Sequence, residues 1–377
     1  MSSRALAVSL DVSAIPTRAA GAGQYALALA GALDARDDVA VTLVARRSDR
    51  KRWLDRAPGS SVVGWAPGPR PLRLAWEQVG LPWRLRGAGV DLHHGLHYTM
   101  PERTRLPVVV TVHDCTYFDH PEWHEPAKAR FFRRAIEVAA ERAGAVVCVS
   151  EATAERFVEL CRPRAPVVVA PHGIDHYRFS PSEPAEGSDA AHLTRLGLDP
   201  GRPMVVFVGT LEPRKGVASL LEAFDQVAER FGDAQLVLVG QRGWGERDLL
   251  AASGHRERVV VTGYVPDEAI PALLRSAAVV AYPSLDEGFG LPAFEALACG
   301  APVVTTSGTP MGDALGDAAL LVAPGDAAAL AEALLSVLGG DPEQAERRRR
   351  GLDRVAPLTW DKSASRHVDA YRIAAGR

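Results

Sequence analysis

Cysteine is scarce in this chain: its 377 residues include four cysteines, and these show no paired spacing. Disulfide-rich secreted domains depend on such spacing, so the pattern argues against that class. Long apolar runs are also missing, and no stretch of about 18 apolar residues predicts a transmembrane helix. The short apolar N-terminus lacks the basic start and cleavage site of a signal peptide. These absences predict a cytoplasmic protein with reduced, mostly buried thiols.

Charge is nearly balanced, with 43 Lys+Arg against 46 Asp+Glu, but basic residues predominate in residues 1–181 and acidic ones afterwards. A basic half predicts an anionic partner. Nucleic acid is disfavoured because no basic-aromatic RNA motif or zinc-finger spacing occurs. A phosphate-bearing acceptor or an anionic membrane surface fits better. Basic and aromatic residues interleave at 46–53 and 128–134, which predicts either solvated faces or peripheral contact with the inner face of the plasma membrane.

Apolar runs of strand length alternate with helical patterns along the whole chain, which predicts α/β architecture with mostly parallel sheets. The alternation pauses in a stretch rich in proline, serine and glycine and then restarts near residue 204. We therefore predict one domain over 1–181, a linker over 182–203, a second domain over 204–358 and a last helix over 359–377. Ligands are expected at the carboxyl ends of the strands, in the cleft between the two domains.

Two carboxylates bracket a glycine-rich loop in the second predicted domain. Seven residues separate Glu287 from Glu295, and among them Gly288 and Gly290 allow close approach of the backbone to a ligand. An apolar run leads into the loop and a helical pattern leads out, with Pro292 suited to the first helical turn. The helix start offers unpaired amides to an anion, and carboxylates accept hydrogen bonds from hydroxyls. A polyhydroxylated ligand carrying phosphate, such as a nucleotide sugar, fits this segment.

A cationic pair, Arg214 and Lys215, stands between a predicted strand and a predicted helix. Two cations close to free amides would hold a diphosphate. The alternative is a surface pair, which the helix macrodipole would slightly disfavour at that end. His113 ends an apolar strand, at the edge where such folds keep ligand residues. The alternative for this histidine is a place in the core with a hydrogen bond to the backbone.

Residues 21–26 fit the dinucleotide pattern G-x-G-x-x-A. That motif must follow a strand immediately, whereas here about ten residues and Pro16 intervene, so a nicotinamide site is only a minor alternative. Three further histidines, His93, His94 and His97, crowd another strand end. Their spacing lacks a clear set of metal partners, so acceptor contact or plain packing is the better interpretation.

Taken in order, these motifs resemble those of retaining glycosyltransferases of the GT-B fold, in particular family four. The segment from Glu287 to Glu295 is similar to the family's E-x7-E motif, residues 209–216 to its diphosphate-binding loop, and residues 112–114 to its N-domain histidine loop. Trp76-Glu77-Gln78 and residues 171–175 also resemble family landmarks, so the resemblance spans nearly the whole chain. One departure is that many relatives carry Gly-Arg where this chain has Gly209-Thr210; Arg214 is therefore the arginine carried over.

The resemblance implies a GT-B fold, with two Rossmann-like doubly wound domains facing a central cleft and the last helix crossing back to the first domain. It implies catalytic roles for His113, Arg214, Lys215 and Glu287, and binding of the nucleotide ribose by Glu295. The implied donor-binding residues are Gly21, Gly23, Gly209, Thr210, Gly288, Phe289, Gly290, Leu291 and Glu295. His94 and Asp114 are the implied acceptor-side residues.

The resemblance also implies transfer of a hexose to a glycan or lipid-linked acceptor. Details such as Trp76-Glu77-Gln78 are similar to bacterial mannosyltransferases of polysaccharide or glycolipid assembly, which makes GDP-mannose the first donor candidate and UDP-hexoses the alternative. A GT-B epimerase or phosphorylase, or an inactive sugar-binding scaffold, is a lesser alternative. Metal-dependent glycosyltransferases hold a divalent ion with Asp-x-Asp, which this sequence lacks. No metal or other cofactor is therefore expected, and Arg214 and Lys215 would supply the positive charge.

Overall fold

A computed structural model describes residues 4–19, 21–183, 188–241, 243 and 253–377. The chain divides into two compact units, Met1–Gly173 with Trp360–Arg377, and Ile174–Thr359. The division therefore falls ahead of the predicted linker, whose described residues lie in the second unit. Among the residues that the model describes, no helix is both long and apolar enough to cross a bilayer.

The first unit is built on a wholly parallel seven-stranded sheet with the strand order β3-β2-β1-β4-β5-β6-β7. Its strands over residues 108–112 and 145–148 are mostly apolar runs buried on both faces, as expected for a parallel sheet covered by helices. The strands are β1 (Leu6–Asp11), β2 (Val39–Arg46), β3 (Ser61–Ala66), β4 (Leu92–Gly95), β5 (Val108–Val112), β6 (Ala145–Cys148) and β7 (Val167–Val169). The helices are α1 (Ala22–Asp34), α2 (Arg50–Arg56), α3 (Arg70–Leu85), α4 (Thr116–Asp119), α5 (Pro126–Arg142), α6 (Glu151–Cys161) and, from the C-terminus, α14 (Trp360–Ala375).

The second unit repeats this architecture with a parallel six-stranded sheet in the order β10-β9-β8-β11-β12-β13. Its strands are β8 (Met204–Val208), β9 (Gln235–Val239), β10 (Val259–Gly263), β11 (Val279–Tyr282), β12 (Val303–Thr306) and β13 (Leu320–Val322). Its helices are α7 (Asp189–Arg195), α8 (Val217–Arg230), α9 (Ala269–Ser276), α10 (Leu291–Ala298), α11 (Pro310–Leu315), α12 (Ala327–Leu338) and α13 (Gln344–Val355). The prediction of two doubly wound Rossmann-like sheets is confirmed.

Helix α14 completes the core of the first unit. Ala364, Val368 and Tyr371 are buried in the same apolar cluster as the side chains of β1 and α1. Polar contacts accompany this packing. His367 Nδ1 donates to the Ser363 carbonyl at 2.7 Å, and because burial lowers the pKa of His367 to about 4, its Nε2 is a bare acceptor at neutral pH.

The remaining hydrogen bonds of this buried network follow one direction. The Tyr25 hydroxyl donates to His367 Nε2 at 2.8 Å, and the Thr111 hydroxyl donates to Tyr25 at 2.8 Å. His94 Nε2–H donates to Thr111 at 2.9 Å, and the Tyr371 hydroxyl donates to His94 Nδ1 at 2.9 Å. A proton added to His367 Nε2 or to His94 Nδ1 would place an N–H donor opposite the hydroxyl that now donates to that nitrogen. The network therefore favours the neutral form of both histidines.

We expect the free energy of unfolding to fall as pH is lowered from 7 to 5. Burial lowers the folded-state pKa of His93 and His97 to about 3 and that of His367 to about 4. A histidine in the unfolded chain titrates near about 6.5, so below that pH the unfolded state binds more protons. The contribution of these histidines to the free energy of unfolding is therefore complete above about pH 6.5. Below that pH it falls by up to about 1.4 kcal/mol per pH unit for each histidine.

Urea unfolding at several pH values measures this slope. His93→Asn should flatten it by one histidine's share, because that imidazole is buried and its pKa is about 3 in the folded chain. An unfolding midpoint independent of pH between 7 and 5 would contradict the neutral-histidine interpretation.

Candidate functional site

The two halves of the predicted donor site lie on adjacent strands of the second unit. Strand order reverses between β8 and β11, which pair directly although α8, β9, β10 and α9 lie between them in sequence. Arg214 and Lys215 follow β8, and Glu287 follows β11. Both loops leave the carboxyl edge of the sheet at its switch point, the position where doubly wound sheets bind ligands.

Glu287 contacts both cations. Lys215 Nζ donates to Glu287 Oε1, Arg214 Nη1 donates to Oε2 at 3.2 Å, and the Ser284 hydroxyl donates to Oε1 at 3.0 Å. Arg214 Nε also donates to Glu212 at 3.2 Å. Lys215 and Glu287 are each 7% exposed. These side chains form a nearly buried ion cluster that sequence motifs alone did not predict.

The charge state of the cluster follows from two opposing effects. Burial favours the neutral acid, but the positive charges of Lys215 and Arg214 outweigh it and hold the pKa of Glu287 at about 2. Burial lowers the pKa of Lys215, and Glu287 opposes that change. Glu287 is therefore ionised and compensates the two cations. A diphosphate would offer several acceptor oxygens to the same two donors.

Gly216 allows the two loops to meet closely. It has a φ of 67°, and a Cβ atom there would lie 2.0 Å from the carbonyl oxygen of Pro283. The amide of Leu285 also donates to the carbonyl of Arg214 at 2.7 Å, which ties the loops together. A side chain at position 216 would push the β8 loop, with Lys215, away from the β11 loop.

The glycine loop after Glu287 leads directly into α10. Gly290, with a φ of 83°, stands at the helix start, where a Cβ atom would lie 2.3 Å from the sulfur of Met311. No side chain caps this helix, but Pro292 has no N–H and the amide of Ala293 already donates to the Gly290 carbonyl at 2.9 Å, so few of its first amides could serve an anion. Phe289 is stacked on Phe294 of α10 with ring centres 4.6 Å apart, and this contact holds the loop against the helix. The same segment contains the other two predicted donor residues, Gly288 and Leu291.

Glu295 lies within α10, and its charge state differs from that of Glu287. In the part of the chain that the structure describes, no hydrogen bond is made to its carboxyl group. Burial raises the pKa of Glu295 to about 8; attraction to Arg178 opposes this rise, and repulsion from Asp267 adds to it. The neutral acid therefore predominates at pH 7. One carboxyl group of the E-x7-E segment is ionised and the other is protonated.

Gly209 and Thr210 lie directly after β8, on the same edge as Arg214. The amide of Gly209 already donates to the carbonyl of Val239 at 2.8 Å, so it is not available to a ligand. A Cβ atom on Gly240 would lie 1.9 Å from the Gly209 carbonyl, which shows how closely the loops after β8 and β9 approach each other. Gly209 therefore serves close backbone packing here.

In the first unit, His113 follows β5 and donates from Nε2 to the Leu96 carbonyl at 2.9 Å. Burial lowers the pKa of His113, partly offset by that bond and by Asp114. The neutral ring therefore keeps Nδ1 as an acceptor, while its edge packs on Tyr25 with ring centres 5.0 Å apart. Asp114 accepts hydrogen bonds from the amide and hydroxyl of Thr116, at 3.2 and 2.8 Å, and so stabilises the turn after β5.

The other first-unit predictions have mixed outcomes. Gly21, with a φ of 48°, stands at the start of α1, and Gly23 follows in its first turn with Ala19 packed where its side chain would be. His94 is fully buried, and both of its ring nitrogens are bonded within the polar network. The structure therefore does not support acceptor contact by His94.

One residue of the site, Ser284, was not predicted from the sequence. Ser284, which bonds Glu287, stands just after β11, and the rule that strand ends carry ligand residues would have found it. Across the described ranges, no group of three or more His, Cys, Asp or Glu side chains is arranged to hold a metal ion.

Comparisons with known proteins agree with these motifs. Residues 19–178 match the family model "Glycosyltransferase Family 4", and residues 202–340 match "Glycosyl transferases group 1". The chain is 30% identical to O-antigen chain mannosyltransferase B of Escherichia coli over 295 residues, which are 77% of this chain and 76% of that relative.

Two further matches concern a relative that is similar over a shorter stretch and a solved structure. The chain is 37% identical over 181 residues to the GDP-mannose-dependent alpha-(1-6)-phosphatidylinositol monomannoside mannosyltransferase of Mycolicibacterium smegmatis, a match that covers 46% of each chain. The fold of the present chain is similar to that of Anabaena HepE, whose structure was solved in complex with UDP and glucose. The TM-score is 0.76 at 19% identity, and the match covers 97% of this chain and 99% of HepE.

Proposed function

This chain belongs to the group 1, family 4 glycosyltransferases, which are retaining enzymes of the GT-B fold, and from that premise we propose that it transfers mannose from GDP-mannose to a hydroxyl group of a glycan or glycolipid. The observation that carries the proposal is the Lys215–Glu287–Arg214 cluster at the switch point of the second sheet. The mannosyltransferases among the relatives, one of them named as GDP-mannose-dependent, support the choice of donor.

The cluster suggests how the donor would be held. The diphosphate would take over the hydrogen bonds that Arg214 and Lys215 now give to Glu287. Glu287 and the backbone of residues 288–290 would then face the sugar hydroxyls. Glu295 would accept hydrogen bonds from the ribose.

In the proposed reaction the bond from the anomeric carbon to the phosphate oxygen breaks, and a bond to the acceptor oxygen forms on the same face of the sugar. The acceptor hydroxyl gives its proton to the leaving phosphate oxygen, so the products are a nucleoside diphosphate and a glycoside with retained configuration. Arg214 and Lys215 would stabilise the charge that develops on the phosphate. His113 would contact the sugar through Nδ1, and the segment of Gly21 and Gly23 would contact the donor phosphates.

Donor binding is expected to release a proton near neutral pH. Glu295 has a pKa of about 8 without ligand, and hydrogen bonds from ribose hydroxyls would stabilise the carboxylate and lower that pKa. Deprotonation then accompanies binding, so affinity should rise with pH up to about 8 and level off above it. Calorimetry of GDP binding in buffers with different ionisation enthalpies measures the number of protons released.

Glu295→Gln preserves the shape of the side chain and removes its titration, so proton release should disappear in that variant. Glu332→Gln, an exposed acid on α12, is the matched control and should behave as the wild type. Glu287→Ala should instead weaken the intact donor more than GDP. Binding of GDP by the wild type without proton uptake or release would argue against the ribose role of Glu295.

The choice of donor is tested by comparing nucleotides and sugar nucleotides directly. GDP-mannose and GDP should raise the unfolding temperature more than UDP-glucose and UDP, and only GDP-mannose should support transfer to a panel of lipid-linked acceptors. UDP-hexoses are the second candidate because HepE is described with UDP and glucose. A larger shift with the uridine compounds would select them. Transfer should persist in the presence of a chelator.

A further inference from the structure

Helix α3 is apolar on the face that contacts solvent as well as on the face that packs in the core. The side chains of Leu72, Val79 and Trp83 are 59%, 66% and 64% exposed. With the half-buried Trp76, they lie within about 60° of one another around the helix axis and cover about 16 Å along it, given 3.6 residues per turn. The opposite face packs through the fully buried Leu81. We call these four residues (72, 76, 79 and 83) the α3 stripe.

A glycine makes room for the largest half-buried member of the stripe. A Cβ atom on Gly80 would lie 2.3 Å from Cδ1 of Trp76, so the absence of a side chain there lets the indole lie over the helix backbone. Trp76 also packs against the buried cluster that contains Leu81, which anchors this side of the stripe to the core. Isolated exposed apolar residues need no explanation, but several on one helix face mark an interaction surface.

The charges around the stripe are positive. Residues 61–90 contain four arginines and a single acid, Glu77, and no lysine, histidine or aspartate. Glu77 is 7% exposed, and burial raises its pKa to about 8, so it contributes little negative charge at pH 7. The guanidinium of Arg84 lies 5.1 Å from the ring centre of Trp83 and 5.8 Å from that of Trp65. The arginines are Arg70, Arg73, Arg84 and Arg86.

We propose that the α3 stripe docks this unit onto an anionic lipid bilayer. Its leucine and valine would enter the boundary between headgroups and acyl chains, its tryptophans would lie at that boundary, and the flanking arginines would contact lipid phosphates. A second copy of the chain is a poorer occupant. A two-fold contact through this face would bring the four arginines of one copy close to those of the other.

The two basic-aromatic clusters of the sequence supply less apolar surface. Within residues 46–53, Trp53 is fully buried, and within residues 128–134, Phe132 is 6% exposed. Phe131 is 38% exposed, well below Leu72, Val79 and Trp83 of the α3 stripe. These clusters are basic surfaces without a continuous apolar face, so the structure assigns membrane insertion to α3.

Co-sedimentation with vesicles tests the proposal, using phosphatidylcholine alone and mixed with phosphatidylglycerol across a salt series. The wild type should bind the mixed vesicles, and more weakly as salt rises. Arg70→Gln/Arg84→Gln/Arg86→Gln should lower the partition coefficient about 100-fold, because each cation near an anionic surface contributes roughly fivefold. Leu72→Ser/Val79→Ser/Trp83→Ser should also lose binding. Val158→Ser/Ile373→Ser, exposed apolar residues on other helices, should bind as the wild type does.

Three outcomes would overturn the proposal. One is a wild type that ignores the mixed vesicles, and another is normal binding by both triple variants. The third is a wild-type dimer, seen by sedimentation velocity without lipid, that the serine triple variant converts to monomers. All variants should keep the wild-type thermal protection by GDP or UDP, so loss of docking is distinguishable from loss of the proposed donor site.

Discussion

Replacing Lys215 with methionine is expected to lower turnover on the order of 100-fold, the cost of removing one preorganised donor from a developing negative charge. Lys215 is nearly buried, and its ammonium is held beside Arg214 and Glu287 at the carboxyl edge of β8 and β11. The donor diphosphate would accept the same charge-assisted hydrogen bond, and most strongly when the sugar departs. Turnover, rather than the Michaelis constant for the donor, should therefore carry most of the loss.

The measurement is the transfer rate at saturating donor, normalised to folded protein. Lys215→Arg keeps the charge and should retain more turnover than the methionine variant. Lys51→Met, at a lysine whose side chain is 87% exposed, is the control for loss of a lysine as such. Turnover of Lys215→Met close to the wild-type value would show that the loop holds no leaving phosphate.

Glu287→Leu is expected to lower the free energy of unfolding by about 3–5 kcal/mol, because removing one partner of a buried ion pair leaves the other uncompensated. The pKa of Glu287, about 2 in the folded chain, shows how strongly the two cations depend on this carboxylate. Lys215→Met/Glu287→Leu should regain most of that stability, since an apolar pair of similar volume needs no compensation.

Glu287→Leu and Lys215→Met/Glu287→Leu should both be nearly inactive, although only the single variant should be strongly destabilised. Chemical unfolding of the wild type, both single variants and the double variant forms a complete cycle, from which the coupling energy follows directly. Additive effects of the two substitutions would mean that Lys215 and Glu287 do not interact in solution as they do in the structure.

Strands were the most predictable part of the fold. The strands β5 and β8 are nearly uninterrupted apolar runs in the sequence, because central strands of a parallel sheet are buried on both faces. Helix α3 was not predicted as an element. Pro82 lies inside the helix near its end, and a proline in that position argues against a helix when only the sequence is considered.

The donor site was predicted as a set of residues but not as an interacting group. Motif spacing identified Lys215 and Glu287 separately, yet their direct contact depends on the pairing of β8 with β11, which no local pattern reveals. The charge states of the two glutamates could not be predicted from the sequence either. Glu287 and Glu295 look alike in sequence, and only burial and neighbouring charges push their pKa values to about 2 and about 8. For His94, the choice between acceptor contact and plain packing was also left open by the sequence, and its burial beside Tyr371 of α14 favours packing.

The place of α14 has a consequence for how the chain folds as it is synthesised. Residues 1–173 are synthesised before the second unit, but the core that they build lacks Ala364, Val368 and Tyr371 until α14 has been synthesised after it. The second unit, Ile174–Thr359, is contiguous and has no such delay. Domains generally fold in the order of their synthesis. Here the second unit can fold while the core of the first is still incomplete, because α14 has not yet been synthesised.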